Sequence, residues 1–382
     1  MSGIDLKQED EEIVVKGKTK IPFKEKLKLF WSKPKNRWIT IISIIILTIG
    51  LFALGYYLLI YRDGGMKLGL DVKKEEKAPE VFKSILDGTE TTKELSTRHP
   101  LGIMIENHTD ARPQYGLTSA SIIYEAIAEG GITRFLAVFS PRDAEKVGPI
   151  RSARTYYVDW IKELNGYYAH IGGNYDALEL IKSNGILDLD QFSNPSAYWR
   201  EYKKGVSSEH TVYTATSKLY KIASDKKYST DNNFVLTKFK TELEKEKRPA
   251  TETITINFGN ANYNVSYNFD PATNSYGRIL AGKPHIDTAN NQQISAKNVI
   301  VQVVNRRSTV TKINEQGWIM DTVGNGSASV FQDGAEIKAT WKKDNSSSRT
   351  RFFNKATGAE IELNAGQTWI EVISPDLSFS AQ

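Results

Sequence analysis

"SASIIYEAIAEGGITRFLAVF", residues 119–139, is the stretch on which the fold class turns. Its second half, Ile132 to Phe139, is short, apolar, rich in branched and aromatic side chains and preceded by glycine, which predicts a strand. The first half is ambiguous, because a short apolar run suits a buried strand as well as a helix. We read it as a helix after the "GLTSA" turn, which sets Glu125 and Glu129, four apart, on one face.

The pattern continues on both sides. "LGIMI" (101–105), "YYAHI" (167–171) and "TVYTA" (211–215) have strand composition. "SARTYYVDWIKELNG" spaces Tyr156, Tyr157, Trp160, Ile161 and Leu164 as a helix does and stops at Asn165-Gly166. "NYDALELIKSNG" repeats the grammar, with Asn174 as cap and Gly185 as stop. Strands alternating with helices predict an α/β domain over 98–228. A Lys-rich linker, 229–250, leads into a segment of period-two alternation that predicts a β-rich domain over 251–376, a sandwich or barrel. Hairpin turns are expected at Asp333-Gly334 and Thr357-Gly358. No fixed-period repeat is present.

Upstream, Trp38 to Tyr61 carries no charged side chain. As a helix it would extend roughly 36 Å, enough to cross a hydrocarbon core of roughly 30 Å. Trp31 and Trp38 at one end and Tyr56, Tyr57 and Tyr61 at the other are the aromatics favoured at membrane interfaces. Residues 1–37 end in a strongly basic run, whereas the 62–97 tether is of mixed charge. Lysine and arginine bias places the N-terminus in the cytoplasm and everything after Tyr61 outside, as an uncleaved single-pass anchor in the cell membrane. A cleaved signal peptide would have a shorter apolar stretch. The 382 residues hold no cysteine, which excludes disulfides, thiolate metal sites and a lipidated N-terminal cysteine. A formal charge of +5, concentrated near the N-terminus, argues against a nucleic-acid partner.

Chemistry concentrates around "VGPIRSARTYYVDW", residues 147–160. Arg151 and Arg154 stand at the head of the expected helix, where the dipole disfavours cations and backbone N–H groups lack intrahelical partners. An anion there would satisfy donors, dipole and arginines together, with Arg134 from the neighbouring strand as a third guanidinium. The competing expectation is internal pairing with Glu125, Glu129, Asp143 or Asp159. Glu106 and Asp110 frame His108, but neither this spacing nor the Glu125/Glu129 pair names a metal. His99, His108, His170, His210 and His285 form no closely spaced ligand pair, so no metal and no cofactor are expected. His170 and His210, in or beside apolar strands, are acid/base or ion-pair candidates, each more often structural than catalytic. There is no G-x-S-x-G elbow, phosphate loop or dinucleotide fingerprint.

The run "LGIMIENHTDARPQYGLTSASIIYEAIAEGGITRFLAVFS", then "VGPIRSARTYYVDW", "YAHIGGNYDALELI" and "EHTVYT", resembles the N-terminal domain of the YerB-like family of bacterial envelope proteins. "GNGSASVFQDGAEIKATWKKDNSSSRTRFFNKATGAEIELNAGQTWIEVI" is similar to that family's second domain. The resemblance implies a two-domain extracytoplasmic protein of unassigned activity, and its GPxRSAR segment falls on Gly148, Pro149, Arg151, Ser152, Ala153 and Arg154. Commonly named members look like lipoproteins; this chain has an apolar helix and no cysteine. "FLAVFSPRD" is also similar to a strand of the LytR-CpsA-Psr wall-polymer transferases, through Ser140, Pro141, Arg142 and Asp143, although "GGIT" stands where they have an aspartate. Together these features predict a membrane-anchored envelope protein binding a phosphate- or carboxylate-bearing wall or lipid component at Arg134, Arg151 and Arg154. A transferase acting on such a component and a purely structural scaffold are the alternatives.

Overall fold

The computed structural model describes residues 22–61 and 80–382, which belong to two separate units. In the first, helix Phe23–Trp31 precedes helix Pro34–Tyr61, whose stretch Pro34–Leu59 has a mean hydropathy of 2.4 and no buried residue. A helix apolar on every side from Trp38 onward and buried by none of the described residues has the character of a signal or anchor segment. The tether expected over 62–97 lies outside the described residues up to Pro79.

In the second unit the ambiguous run resolves as strand. Ile122–Glu129 pairs antiparallel with Ile132–Phe139 around Gly130-Gly131, which both have positive φ. The helix reading of 119–130 is therefore corrected. Neighbours on both sides bury Ile123 and Ile127 on one face and Tyr124 and Ala126 on the other, and such a two-sided strand loses the alternation by which strands are recognised. A register shift between Ile127 and Glu129 marks a bulge. Four residues along a regular strand return a side chain to the same face, but one extra residue reverses it. Glu125 and Glu129 consequently serve opposite faces.

These two strands belong to a ten-stranded mixed sheet. Its order runs Arg351–Asn354, Ala335–Lys343, Gly324–Gln332, Asn298–Val303, Thr368–Ile373, Ile122–Glu129, Ile132–Phe139, Leu101–Glu106, Tyr167–Ala169 and Leu187–Asp188. Thr368–Ile373 runs parallel to both its neighbours, one from each end of the sequence. The texture thus changes across 229–250 while the hydrogen-bonded sheet continues through both regions, a mixed α/β part and a β-rich part. The turn at Asp333-Gly334 forms as expected, with both φ values positive and Gln332 facing Ala335.

Alternating side chains divide the core. On one face Tyr156, Tyr157, Trp160 and Ile161 of helix Thr155–Lys162, with Ala177 and Ile181 of helix Tyr175–Ser183, pack against Met104, Tyr124, Leu136 and Ile370. The other face meets helix Thr216–Asp225 through Leu219 and Ala223, and a six-stranded sheet, built on Thr253–Asn257, Val265–Asp270 and Ser275–Leu280, through Ile254, Ile256, Tyr267 and Tyr276. Asn174 caps its helix as expected, its side chain accepting from the Ala177 N–H.

Candidate functional site

Helix Thr155–Lys162 begins later than the spacing suggests, and this relocates the arginines. Arg154 is its N-cap in extended conformation, with no side-chain cap bond. Arg151 lies earlier, on a stretch bridged to neighbouring strands: its N–H donates to the Met104 carbonyl, and its own carbonyl accepts from Ile171. The expectation that both head the helix is corrected; the "GPIRSAR" segment runs extended until it is capped.

Arg154 and Arg134 converge on one carboxylate, Glu129. Arg134 Nη2 lies 2.8 Å from Oε1, Arg154 Nε donates to Oε2 at 2.9 Å, and Arg154 Nη2 also reaches Oε2. Each also meets backbone, Arg134 Nη1 donating to the Ser152 carbonyl at 2.8 Å and Arg154 Nη1 to the Ala153 carbonyl at 2.6 Å, while Arg134 Nε is buried without a hydrogen-bond partner among the described residues. Burial opposes charge on Glu129, but the two guanidiniums outweigh it and hold the carboxyl at about 2. Arg134 is buried, whereas the Glu129 side chain is 39% exposed at the hairpin end.

Arg151 belongs to a second cluster. Its Nε is 3.1 Å from buried Glu106 and its Nη2 is 3.0 Å from exposed Glu209. Glu106 also accepts from His210 Nδ1 at 2.8 Å, and the His210 ring stacks on that of His108 with centroids 4.8 Å apart. His108 Nδ1 accepts from the Asp110 N–H at 3.2 Å. One nitrogen or oxygen each from His108, Asp110 and His210 lie within 4.8 Å of one another, the set among the described residues that could hold a metal ion. Sequence spacing could not reveal it, since the two histidines are a hundred positions apart.

The other candidates go elsewhere. His170 is buried with both nitrogens engaged, by Asp188 at 3.0 Å and the Gly172 carbonyl at 2.8 Å. Asp159 accepts from Thr322 at 2.7 Å, its carboxyl raised by burial, and pairs with none of the three arginines. Arg142 of the "FSPRD" run is tied to Asp87 at 2.9 Å, and Asp143 to Arg98 at 2.9 Å.

Glu125 points into the opposite core and binds Arg278, which is fully buried beneath the sheet. Arg278 lies 3.8 Å from a second buried carboxyl, Glu371, which also accepts from Tyr267. Burial and then the neighbouring Glu125 charge push the Glu371 carboxyl well up, which favours its neutral form. Burial disfavours the Arg278 cation, but Glu125 more than restores it. His285 is held far below its usual range by burial, then by Arg278 and Arg112, and its Nε2 meets Gln114 at 3.0 Å. Sequence reasoning missed this network, yet a signal was present: Arg278 occupies an inward position of a strand that alternates strictly between buried and half-buried residues.

Comparison with known proteins decides what these clusters belong to. Residues 86–229 match the family described as protein of unknown function (DUF3048) N-terminal domain, and residues 254–370 match its C-terminal domain. The chain belongs to the YerB-like family. YerB of Bacillus subtilis (strain 168), named as a candidate lipoprotein, is 31% identical over 318 residues, covering 80% of this chain and 88% of its own. The crystal structure of B. subtilis YerB superposes with a TM-score of 0.68 at 28% identity, over 78% of this chain and 99% of that one. The family carries no assigned activity, so function rests on the residues themselves.

Proposed function

We propose that this YerB-like chain is a single-pass envelope protein with its N-terminus in the cytoplasm and residues 80–382 outside, acting as a non-catalytic scaffold in which the arginine cluster holds the fold. The observation that carries the scaffold reading is the convergence of Arg134 and Arg154 on Glu129. A buried cation needs a partner, and here the chain supplies its own. The orientation is supported by the stretch Trp38 to Tyr61, which carries no charged side chain, and the basic run before it.

A second reading is favoured by one feature: Glu129 sits part-exposed at a glycine hairpin, where a phosphate or carboxylate from a wall or lipid component would have only one side chain to displace. Transferase chemistry would need that displacement and also an acid beyond it. Thermal stability measured against rising pyrophosphate, and sedimentation with phosphatidylglycerol vesicles made from protein released from its anchor, separate the readings. The scaffold reading expects no shift and no binding in the wild type. A saturable shift abolished by Arg154→Ala would replace it with the anion-binding reading. Topology is tested in the cysteine-free background: Lys182→Cys should react with an impermeant maleimide on intact cells and Ser2→Cys should not.

A further inference from the structure

The arginine reading leaves the cluster beside Arg151 unexplained. His210 is buried and its orientation is fixed, because Glu106 Oε2 holds Nδ1 at 2.8 Å. Its other nitrogen, Nε2, makes no hydrogen bond among the described residues and has Glu209 Oε1 3.6 Å away. A carboxylate on one imidazole nitrogen with the other left free is the arrangement that orients metal-binding histidines and raises their basicity. His108 and Asp110 bring further donors to the same side. Three carboxylates gather here: Glu106 and Glu209 pair with Arg151, Asp110 lies 3.8 Å from His108 Nδ1, and Arg112 turns its fork to Asn107 and the Asn262 carbonyl.

We propose that His108, Asp110 and His210 form a binding site for a divalent transition-metal ion of the zinc class, with Glu106 as the positioning residue for His210. Two imidazoles and a carboxylate suit such ions better than magnesium or calcium, which prefer all-oxygen shells. Three protein ligands leave a fourth position, on the side of Glu209.

Binding requires a small rearrangement. Bonds of about 2.0–2.2 Å in a tetrahedral shell put donors about 3.3 Å apart, so a set spread over 4.8 Å must draw together. The two rings also stack within 6° of parallel, and one must turn for both lone pairs to meet an ion. His108 and Asp110 have the freedom to do so. Their side chains are 29% and 61% exposed at a one-turn 3-10 helix, whereas His210 is anchored.

The test uses full-length, tag-free protein in detergent, stripped with a chelator and titrated with zinc and with cobalt(II). One ion per chain is expected, with a raised melting temperature and a cobalt visible spectrum typical of nitrogen and oxygen ligands. His108→Ala and His210→Ala should each abolish that spectrum. Glu106→Gln, which keeps every ligand, should weaken binding by about 10–100-fold and alter the spectrum. His108 is exposed enough that its replacement leaves the core intact, so His108→Ala remains informative even where His210→Ala or Glu106→Gln unfolds. No stoichiometric binding by the wild type, or binding unchanged in His108→Ala, overturns the proposal.

Discussion

Replacing Arg278 by methionine removes the cation shared by two buried acids and leaves Glu125 and Glu371 facing each other without it. Breaking a buried pair by deleting one partner costs about 3–5 kcal/mol. In a unit of this size, where each kcal/mol is worth about 2 °C, melting should fall by about 6–10 °C. Glu371→Gln should behave quite differently. With its carboxyl pushed up toward the neutral form, Glu371 is well mimicked by Gln, which keeps an oxygen for the Tyr267 hydroxyl, so the change should cost about 1 kcal/mol or less. Glu125→Gln falls between them, because Glu371 gives up its proton and takes over the pairing from 3.8 Å. The assay is thermal melting followed by circular dichroism, repeated at about pH 7 and pH 5. Glu371, already raised by burial, loses with Arg278 the cation that lowers it, a penalty that grows as pH rises above its unfolded value, so the Arg278→Met deficit should shrink toward pH 5. If Glu371→Gln costs as much as Arg278→Met, the shared-proton argument is wrong.

Two further outcomes follow from the same kind of reasoning. Glu129 is held at about 2 against an ordinary 4.5. A depressed carboxylate stabilises fully above its unfolded value, and that contribution is lost as pH falls through the folded one, here between about pH 4.5 and 2. Because the side chain is part-exposed, solvent screening reduces the effect to about 1–2 kcal/mol; Glu129→Gln should lose this amount near neutral pH and flatten acid unfolding in that window. Asn174→Ala removes the cap of helix Tyr175–Ser183 and should cost about 1 kcal/mol in chemical denaturation without changing the slope.

Much of the fold was legible where local chemistry decides it. Ile132–Phe139, the Asn174 cap and the Asp333-Gly334 turn each depend on a few adjacent residues, and each appears where composition places it. Ile122–Glu129 was misread because burial on both faces erases the alternation that marks a strand. The bulge that sends Glu129 to the arginines and Glu125 to Arg278 is invisible in a sequence, since it depends on which partner strand the chain meets. Arg134, Arg151 and Arg154 read in the sequence as an anion-binding set, with internal pairing as the competing expectation, and in the structure they meet Glu129, Glu106 and Glu209. Glu129 was among the partners weighed, but Glu106 and Glu209 were not, because Arg151 meets them only through strand pairing and a loop distant in sequence. The joining of His108 to His210 is tertiary for the same reason.

The position of Thr368–Ile373 bears on how the molecule is made. This strand lies between Ile122–Glu129 and Asn298–Val303 and runs parallel to both. Until it arrives, each of those strands offers an unpaired apolar edge, the surface through which polypeptides aggregate. A chain cut before Thr368 therefore cannot close its sheet, and such a truncation should yield insoluble material instead of a slightly shortened protein.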